Sequence, residues 1–216
     1  MATQNITTVI ELFTWNSTIF PIGSLSNDIT ITDDDITNGF YVSALRLQPN
    51  AEFNGNNFTI TVTITTNDFV GLFDAEDDTI KIHNFKLILD TGGFPNQFGS
   101  ILAVRGIGTI YDTTLLVSAG FTLADNSGSM VINSAGLSGQ LAITRCYYEG
   151  PISAYAGALC GQGTPSAIIT DCFVHIISTL PGYTGGIVGG GSGGFGQPFT
   201  ISNCIVNIDS ATTIDN

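Results

Sequence analysis

The chain has 216 residues, 43% of them apolar and 11% charged, with a formal net charge of −13 at pH 7. That is ample material for a core, but the five cations (Arg46, Lys81, Lys86, Arg105 and Arg145) are scattered, whereas a phosphate backbone needs grouped ones, so nucleic acid is not an expected partner. No apolar run approaches the roughly 20 residues that cross a bilayer, and residues 1–4 are not followed by a basic and then apolar leader pattern, so neither membrane insertion nor export by a signal peptide is expected.

Residues 1–28 fit no repeat and read as an N-terminal arm or cap, with residues 15–22 as its apolar part. Segments 29–32 and 40–42 read as strands of a first, irregular coil. The run Phe53-Asn54-Gly55-Asn56-Asn57-Phe58 followed by TITVTI places a turn at Asn54-Gly55 and a strand after it. From there two registers recur together. One is a small residue before two apolar ones: Gly71-Leu72-Phe73, Ser100-Ile101-Leu102, Ser129-Met130-Val131, Gly157-Ala158-Leu159 and Gly186-Ile187-Val188, at intervals of 29, 29, 28 and 29. The other begins at Ile82, Ile110, Ile143, Ile169 and Ile201, at intervals of 28, 33, 26 and 32, so the variable length belongs to loops between strands.

Within the second register Ile80 and Ile82 share a face with Phe85, Leu87 and Leu89, and Phe199 and Ile201 share one with Cys204, Val206 and Ile208. Period two forbids apolar partners three apart, so the chain must turn between them. The turn falls on Asn84, Asp112, Asp171 and Asn203, residue types that tolerate the left-handed conformation. Arg145 occupies the same position in its coil and implies a local distortion there. Stacking then yields a corner ladder of Asn84, Asp112, Asp171 and Asn203, a core column of Ile82, Ile110, Ile143, Ile169 and Ile201, and a second column of Phe85, Thr113, Cys146, Cys172 and Cys204. The expected fold is all-β: a single-stranded right-handed parallel β-helix over residues 29–208, about 29 residues per coil and six to seven coils, with 209–216 as a C-terminal tail.

The strings FNGNNFTITV, VGLF and IHNF, with the later IxNC and GGIVG, resemble the pectin-lyase-like β-helix superfamily, and within it the glycine-leucine-rich repeats of bacterial surface adhesins and of open reading frames in large DNA viruses. The resemblance covers about residues 53–208 and implies an architecture more than an activity.

Enzymes of that superfamily gather paired Asp, a His and basic residues on one outer face. Here His83 and His175 are expected outward on different coils, as exposed polar side chains, and no catalytic residue is assigned. Asp33-Asp34-Asp35 and the set Asp74, Glu76, Asp77 and Asp78 are weak Ca²⁺ candidates that match no calcium loop and read as solvated turn carboxylates. Cys146, Cys172 and Cys204 fall in one inward column and are expected as free buried thiols. No cofactor is expected. The threonine run 59–66 does not repeat on later coils, as an ice-binding face would require, and the glycine-rich stretch 185–196 lacks the Lys-Ser/Thr of a phosphate loop and reads as a loop carrying Phe195 outward.

After Val206 and Ile208 no further strand pattern is seen before the tail, so the last coil is expected to present an open edge. The expected function is therefore non-enzymatic: a structural protein forming a homo-oligomer or polymer, as a fibre, filament or virion or cell-surface component. It would act through the β-helix ends and an N-terminal arm at about residues 5–22. The alternatives are a surface adhesin or glycan-binding module using Tyr111, Tyr147, Tyr155 and Tyr183 as stacking platforms, and a degenerate polysaccharide lyase or hydrolase.

Overall fold

The computed structural model describes residues 1–65, 68–93, 99–125, 129–131, 139–161, 166–178, 184–189 and 199–209, the side chains of 104 and 105 excepted. In chain order the elements are β1 (Thr3–Ile6), α1 (Val9–Phe13), β2 (Ile22–Leu25), β3 (Ile29–Thr32), α2 (Asp33–Thr37), β4 (Leu45–Arg46), β5 (Glu52–Asn54), β6 (Thr59–Thr63) and β7 (Phe73–Gly93). They continue with β8 (Leu102–Val117), β9 (Phe121–Thr122), β10 (Leu141–Thr144), β11 (Tyr147–Gly150), β12 (Ala167–Thr170), β13 (Phe173–Ile176), β14 (Phe199–Ser202) and β15 (Ile205–Ile208).

All strand pairs are parallel, and they stack as a solenoid. One ladder runs β1-β2-β5-β7-β8-β10-β12-β14, and a second, round the corner, runs β3-β6-β7-β8-β11-β13-β15. Phe53 pairs with Ile82, and then Ile82, Ile110, Ile143, Ile169 and Ile201 pair in succession, giving five turns averaging close to 29 residues. These rungs are regular because an inward side chain must lie over its equivalent to close the core, and only apolar residues tolerate that position.

The corner is set by backbone conformation. Asn84, Asp112, Arg145, Asp171 and Asn203 all have φ between 50° and 58°. That left-handed residue turns the chain sharply without breaking strand pairing on either side, so β7 and β8 run through it as single long strands. Arg145 therefore takes the same corner as its neighbours, φ 51°, in place of the expected local distortion. The cost of the conformation is offset by its side chain, whose Nε and a terminal nitrogen donate to the two Asp112 carboxylate oxygens at 2.6 and 2.7 Å.

A third, narrow ladder joins Leu45 to Phe73, Phe73 to Leu102, and then Leu102, Val131, Cys160 and Val188 in sequence. This moves the fourth small-apolar-apolar triplet by one residue. Cys160, not Leu159, occupies the column of Val131, because Tyr155 takes up a left-handed turn (φ 59°) and Gly157 pairs with Gly185. The small residues heading the first four triplets are buried and Gly186 is half-buried, and Ser100 and Ser129 keep their hydroxyls satisfied by donating to the backbone carbonyls of Ser129 and Gly157 on the next coil.

Residues 1–28, read from the sequence as an arm or cap, pack onto the solenoid. β1 pairs residue for residue with β2, from Thr3–Ile22 to Ile6–Leu25, and Ile6, Val9, Leu12 and Trp15 are buried in the common core. The Thr8 side chain caps α1 by accepting from the Glu11 amide at 3.2 Å, and the Glu11 carboxylate returns to the Thr7 amide at 2.7 Å. α1 replaces a strand on its rung and packs on β1 and β3, covering the N-terminal end of the second ladder. Aromatics fill this half: Phe53 meets Trp15, Phe73 and Phe85 at centroid distances of 6.2, 4.9 and 5.5 Å. Segment 40–42 is not a strand. Tyr41 is instead a buried anchor in a bend, its hydroxyl donating to the Gly71 carbonyl at 3.0 Å and accepting from the Val70 amide at 2.7 Å.

Candidate functional site

Among the polar side chains that meet across coils, two clusters are built round the histidines. In the first, Asn54, His83 and Tyr111 stand in one outward column. His83 is 5% exposed, so the expected solvent-exposed histidine is instead a packed one. Its ring lies parallel to Tyr111 at 4.4 Å and its Nε2 is 3.1 Å from Glu52 Oε1. Arg145 covers the Tyr111 ring from 6.0 Å. Burial, followed by the Glu52 and Asp112 charges, pushes the Tyr111 phenol up, while the Arg145 guanidinium holds Asp112 below the usual carboxylate range.

The second cluster lies at the C-terminal end. Glu149, His175 and Asn207 are vertical neighbours on β11, β13 and β15. His175 Nδ1 lies 3.4 Å from Glu149 Oε2 and Nε2 lies 2.9 Å from Asp209 Oδ1, with Tyr147 OH donating to the same Glu149 oxygen. The bond to Asp209, then the one to Glu149, raises the His175 imidazole above the ordinary histidine value. The Tyr147 hydroxyl, then His175, lowers Glu149, and Tyr147 is pushed up to about 12 by Glu149. Two surface grooves, one of about 420 Å³ beside Phe121, Leu123, Asp125 and Ile177 and one of about 260 Å³ beside Trp15, Ser17, Arg46 and Gln48, contain neither histidine.

The remaining predicted residues sort as follows. Asp35 Oδ2 accepts from the Thr32 amide and hydroxyl at 2.8 and 2.9 Å at the start of α2, and Asp33 Oδ2 accepts from the Thr65 amide at 2.8 Å. Of the other calcium candidates, Asp74, Glu76, Asp77 and Asp78 lie on β7, where Glu76 pairs with Arg46 at 3.0 Å and Asp77 accepts from the Thr79 amide at 2.9 Å. Among the described residues no three His, Cys, Asp or Glu converge as a metal-ligand set. The four cysteines are free. Cys146, Cys172 and Cys204 each direct Sγ at the carbonyl two residues back, at 3.4, 3.2 and 3.2 Å, and at the isoleucine carbonyl of the coil before, at 3.7 to 3.8 Å. Thr113 does the same with its hydroxyl, to Tyr111 O at 2.9 Å, which explains a threonine in a cysteine column. Hydrogen bonding to Cys172 and burial push the Cys146 thiol up.

Of the predicted stacking tyrosines, Tyr111 is covered by His83 and Arg145, Tyr147 lies parallel to Phe173 at 5.5 Å, Tyr155 is exposed, and Tyr183 lies outside the described residues. Phe195 and residues 210–216 also lie outside them. Sequence reasoning missed Glu52, Glu149 and Asp209. For Glu149 the signal was present, since it lies six residues past Ile143 just as His175 lies six past Ile169.

The terminal rung differs from all those before it. β14 pairs only β12 and β15 only β13 among the described residues. The positions that are fully buried lower in the stack are open here: Ile201 is 45%, Val206 38% and Ile208 37% exposed, and outward Ile205 is 59% exposed. No family model, no curated protein and no solved structure matches this chain.

Proposed function

We propose that this is a non-enzymatic structural protein that self-associates through its C-terminal rung, as part of a filament, fibre or surface assembly of a virion or cell. The observation that carries the reading is the exposed terminal coil. Its inward residues repeat the chemistry of the coil below, Ile201 over Ile169, Cys204 over Cys172, Val206 over Val174 and Ile208 over Ile176. A second copy supplying a rung of the same type would cover that apolar floor and pair the edge of β14 and β15 that faces no further strand among the described residues.

The N-terminal arm plays no part in this reading, since β1 and α1 are committed to their own solenoid. The resemblance of the repeat strings to pectin-lyase-like β-helices, and to glycine-leucine-rich repeats of surface adhesins and large DNA viruses, supports an extracellular or virion setting. A net charge of −13 opposes close approach, so association should strengthen with salt.

Light scattering coupled to size exclusion, from low micromolar concentration upward and at low and high salt, tests the reading together with electron microscopy. The expected result is a salt-promoted oligomer that Val206→Asp dissolves into folded monomer. A protein that stays monomeric under all these conditions, with its terminal rung solvated, overturns it.

A further inference from the structure

We infer that His175 is a proton-operated clamp that ties the terminal rung to the two rungs beneath it, so that pH sets how firmly the docking edge is held. The consequence for assembly rests on the function proposed above; the clamp itself does not.

The geometry carries the inference. Both imidazole nitrogens face carboxylate oxygens, Nδ1 toward Glu149 on β11 at 3.4 Å and Nε2 toward Asp209, one residue past β15, at 2.9 Å. Carboxylates only accept hydrogen bonds, so both contacts are satisfied only when both nitrogens carry protons; a neutral ring has one N–H and must set its other lone pair against an oxygen. Glu149 keeps a donor of its own in the Tyr147 hydroxyl. Asp209 takes its side-chain hydrogen bond from His175, and its amide donates to the Ile176 carbonyl at 3.1 Å. Loss of the proton leaves one N–H for two carboxylates and removes the charge that strengthens both contacts, so the tie from Asp209 to the coils below weakens, and with it the hold on the end of β15.

Among the described residues, the groups facing the ring come from β11 and from β15 and the residue beyond it. β11 contributes Glu149 and, through it, Tyr147; β15 contributes neutral Asn207 at the register position and Asp209 just beyond. Among the described residues, polar side-chain pairs tie the terminal rung to the coil below at the corner, where Asn203 donates to Asp171 at 3.2 Å, and at this clamp at the far end. The linkage has a definite sign. The raised His175 value, due first to Asp209, means the clamp is fully engaged below the ordinary histidine value of about 6.5 and is lost as pH rises through the raised one. Glu149, lowered first by Tyr147, contributes above the ordinary glutamate range and loses that contribution as pH falls through its lowered value. The clamp thus holds best in mildly acidic solution. With the His175 side chain 24% exposed, salt weakens it.

Amide hydrogen exchange of residues 205–209 tests the clamp, read between about pH 5.5 and about pH 8, corrected for intrinsic exchange, on protein dilute enough to be monomeric. In the wild type, protection of these amides should fall severalfold toward the alkaline end, while His175→Gln and Asp209→Asn show a flat profile and unchanged protection in β7 and β8. NMR titration of His175 should give a midpoint above the ordinary histidine value that drops in Asp209→Asn. Identical pH profiles for wild type and His175→Gln, or a midpoint that Asp209→Asn does not move, overturn the inference. Sizing the same proteins at high concentration across the pH series separates the two ideas: a working clamp in a protein that never associates sustains this inference and sinks the docking role of the rung.

Discussion

Replacing Ile143 and Ile201 by alanine, singly, compares the same side chain in the same column at two depths. Ile143 is fully buried, with Ile110 and Ile169 as its rung neighbours. Alanine removes three side-chain carbons, about 2.4 kcal/mol at about 0.8 kcal/mol each. A cavity term of about 24 cal/mol per Å³ is added because the paired strands above and below hinder collapse, which places Ile143→Ala in the upper part of the roughly 2–5 kcal/mol range. Ile201 is 45% exposed and opens no enclosed cavity, so Ile201→Ala should cost about half the transfer value, about 1 kcal/mol. Urea unfolding of dilute, monomeric protein, followed by far-UV circular dichroism, gives both numbers. Equal losses for the two variants would refute the reasoning, since they would mean that Ile201 is covered as completely as Ile143. At concentrations where the protein associates, the Ile201→Ala cost should rise toward the Ile143→Ala value.

A pair of glycine substitutions separates packing from backbone strain. At Gly55 an added Cβ would collide with Phe85 Cβ and lie 2.6 Å from the Asn84 carbonyl oxygen, whereas at Gly39, φ 74°, it would meet nothing within 4 Å. Gly55→Ala should therefore cost about 1–3 kcal/mol or more by overpacking, and Gly39→Ala only the roughly 1 kcal/mol of a left-handed alanine; thermal melts compare them. At the corner, Asn84→Val should destabilise by about 1–2 kcal/mol, because a branched residue resists φ 58°, while Asn84→Gly should be tolerated. Finally, among the four free cysteines only Cys204 is not fully buried, so brief alkylation of the native protein, mapped by mass spectrometry, should label Cys204 well before Cys146, Cys160 or Cys172. Equal labelling would contradict the burial of the column.

The sequence alone determined the solenoid, its period and its first corner. These were legible because each imposes a residue type: an inward position that must be apolar, repeated at Ile82, Ile110, Ile143, Ile169 and Ile201, and a left-handed position that favours Asn or Asp, repeated at Asn84, Asp112, Asp171 and Asn203. Outward positions impose no such type, so His83 and His175 looked alike in sequence. Only the stacking of coils, across loops that vary the spacing between 26 and 33 residues, decided that one packs between Glu52 and Tyr111 and the other between Glu149 and Asp209. Tertiary structure likewise decided that Arg145 can hold the corner, since its partner Asp112 is a whole coil away, and that Cys160 fills the place expected of Leu159. It also placed residues 1–28, read as an arm or cap, on the first rungs. There α1 takes a strand's place on the apolar end of the stack, and a helix that substitutes for a strand leaves no trace in a strand-period pattern.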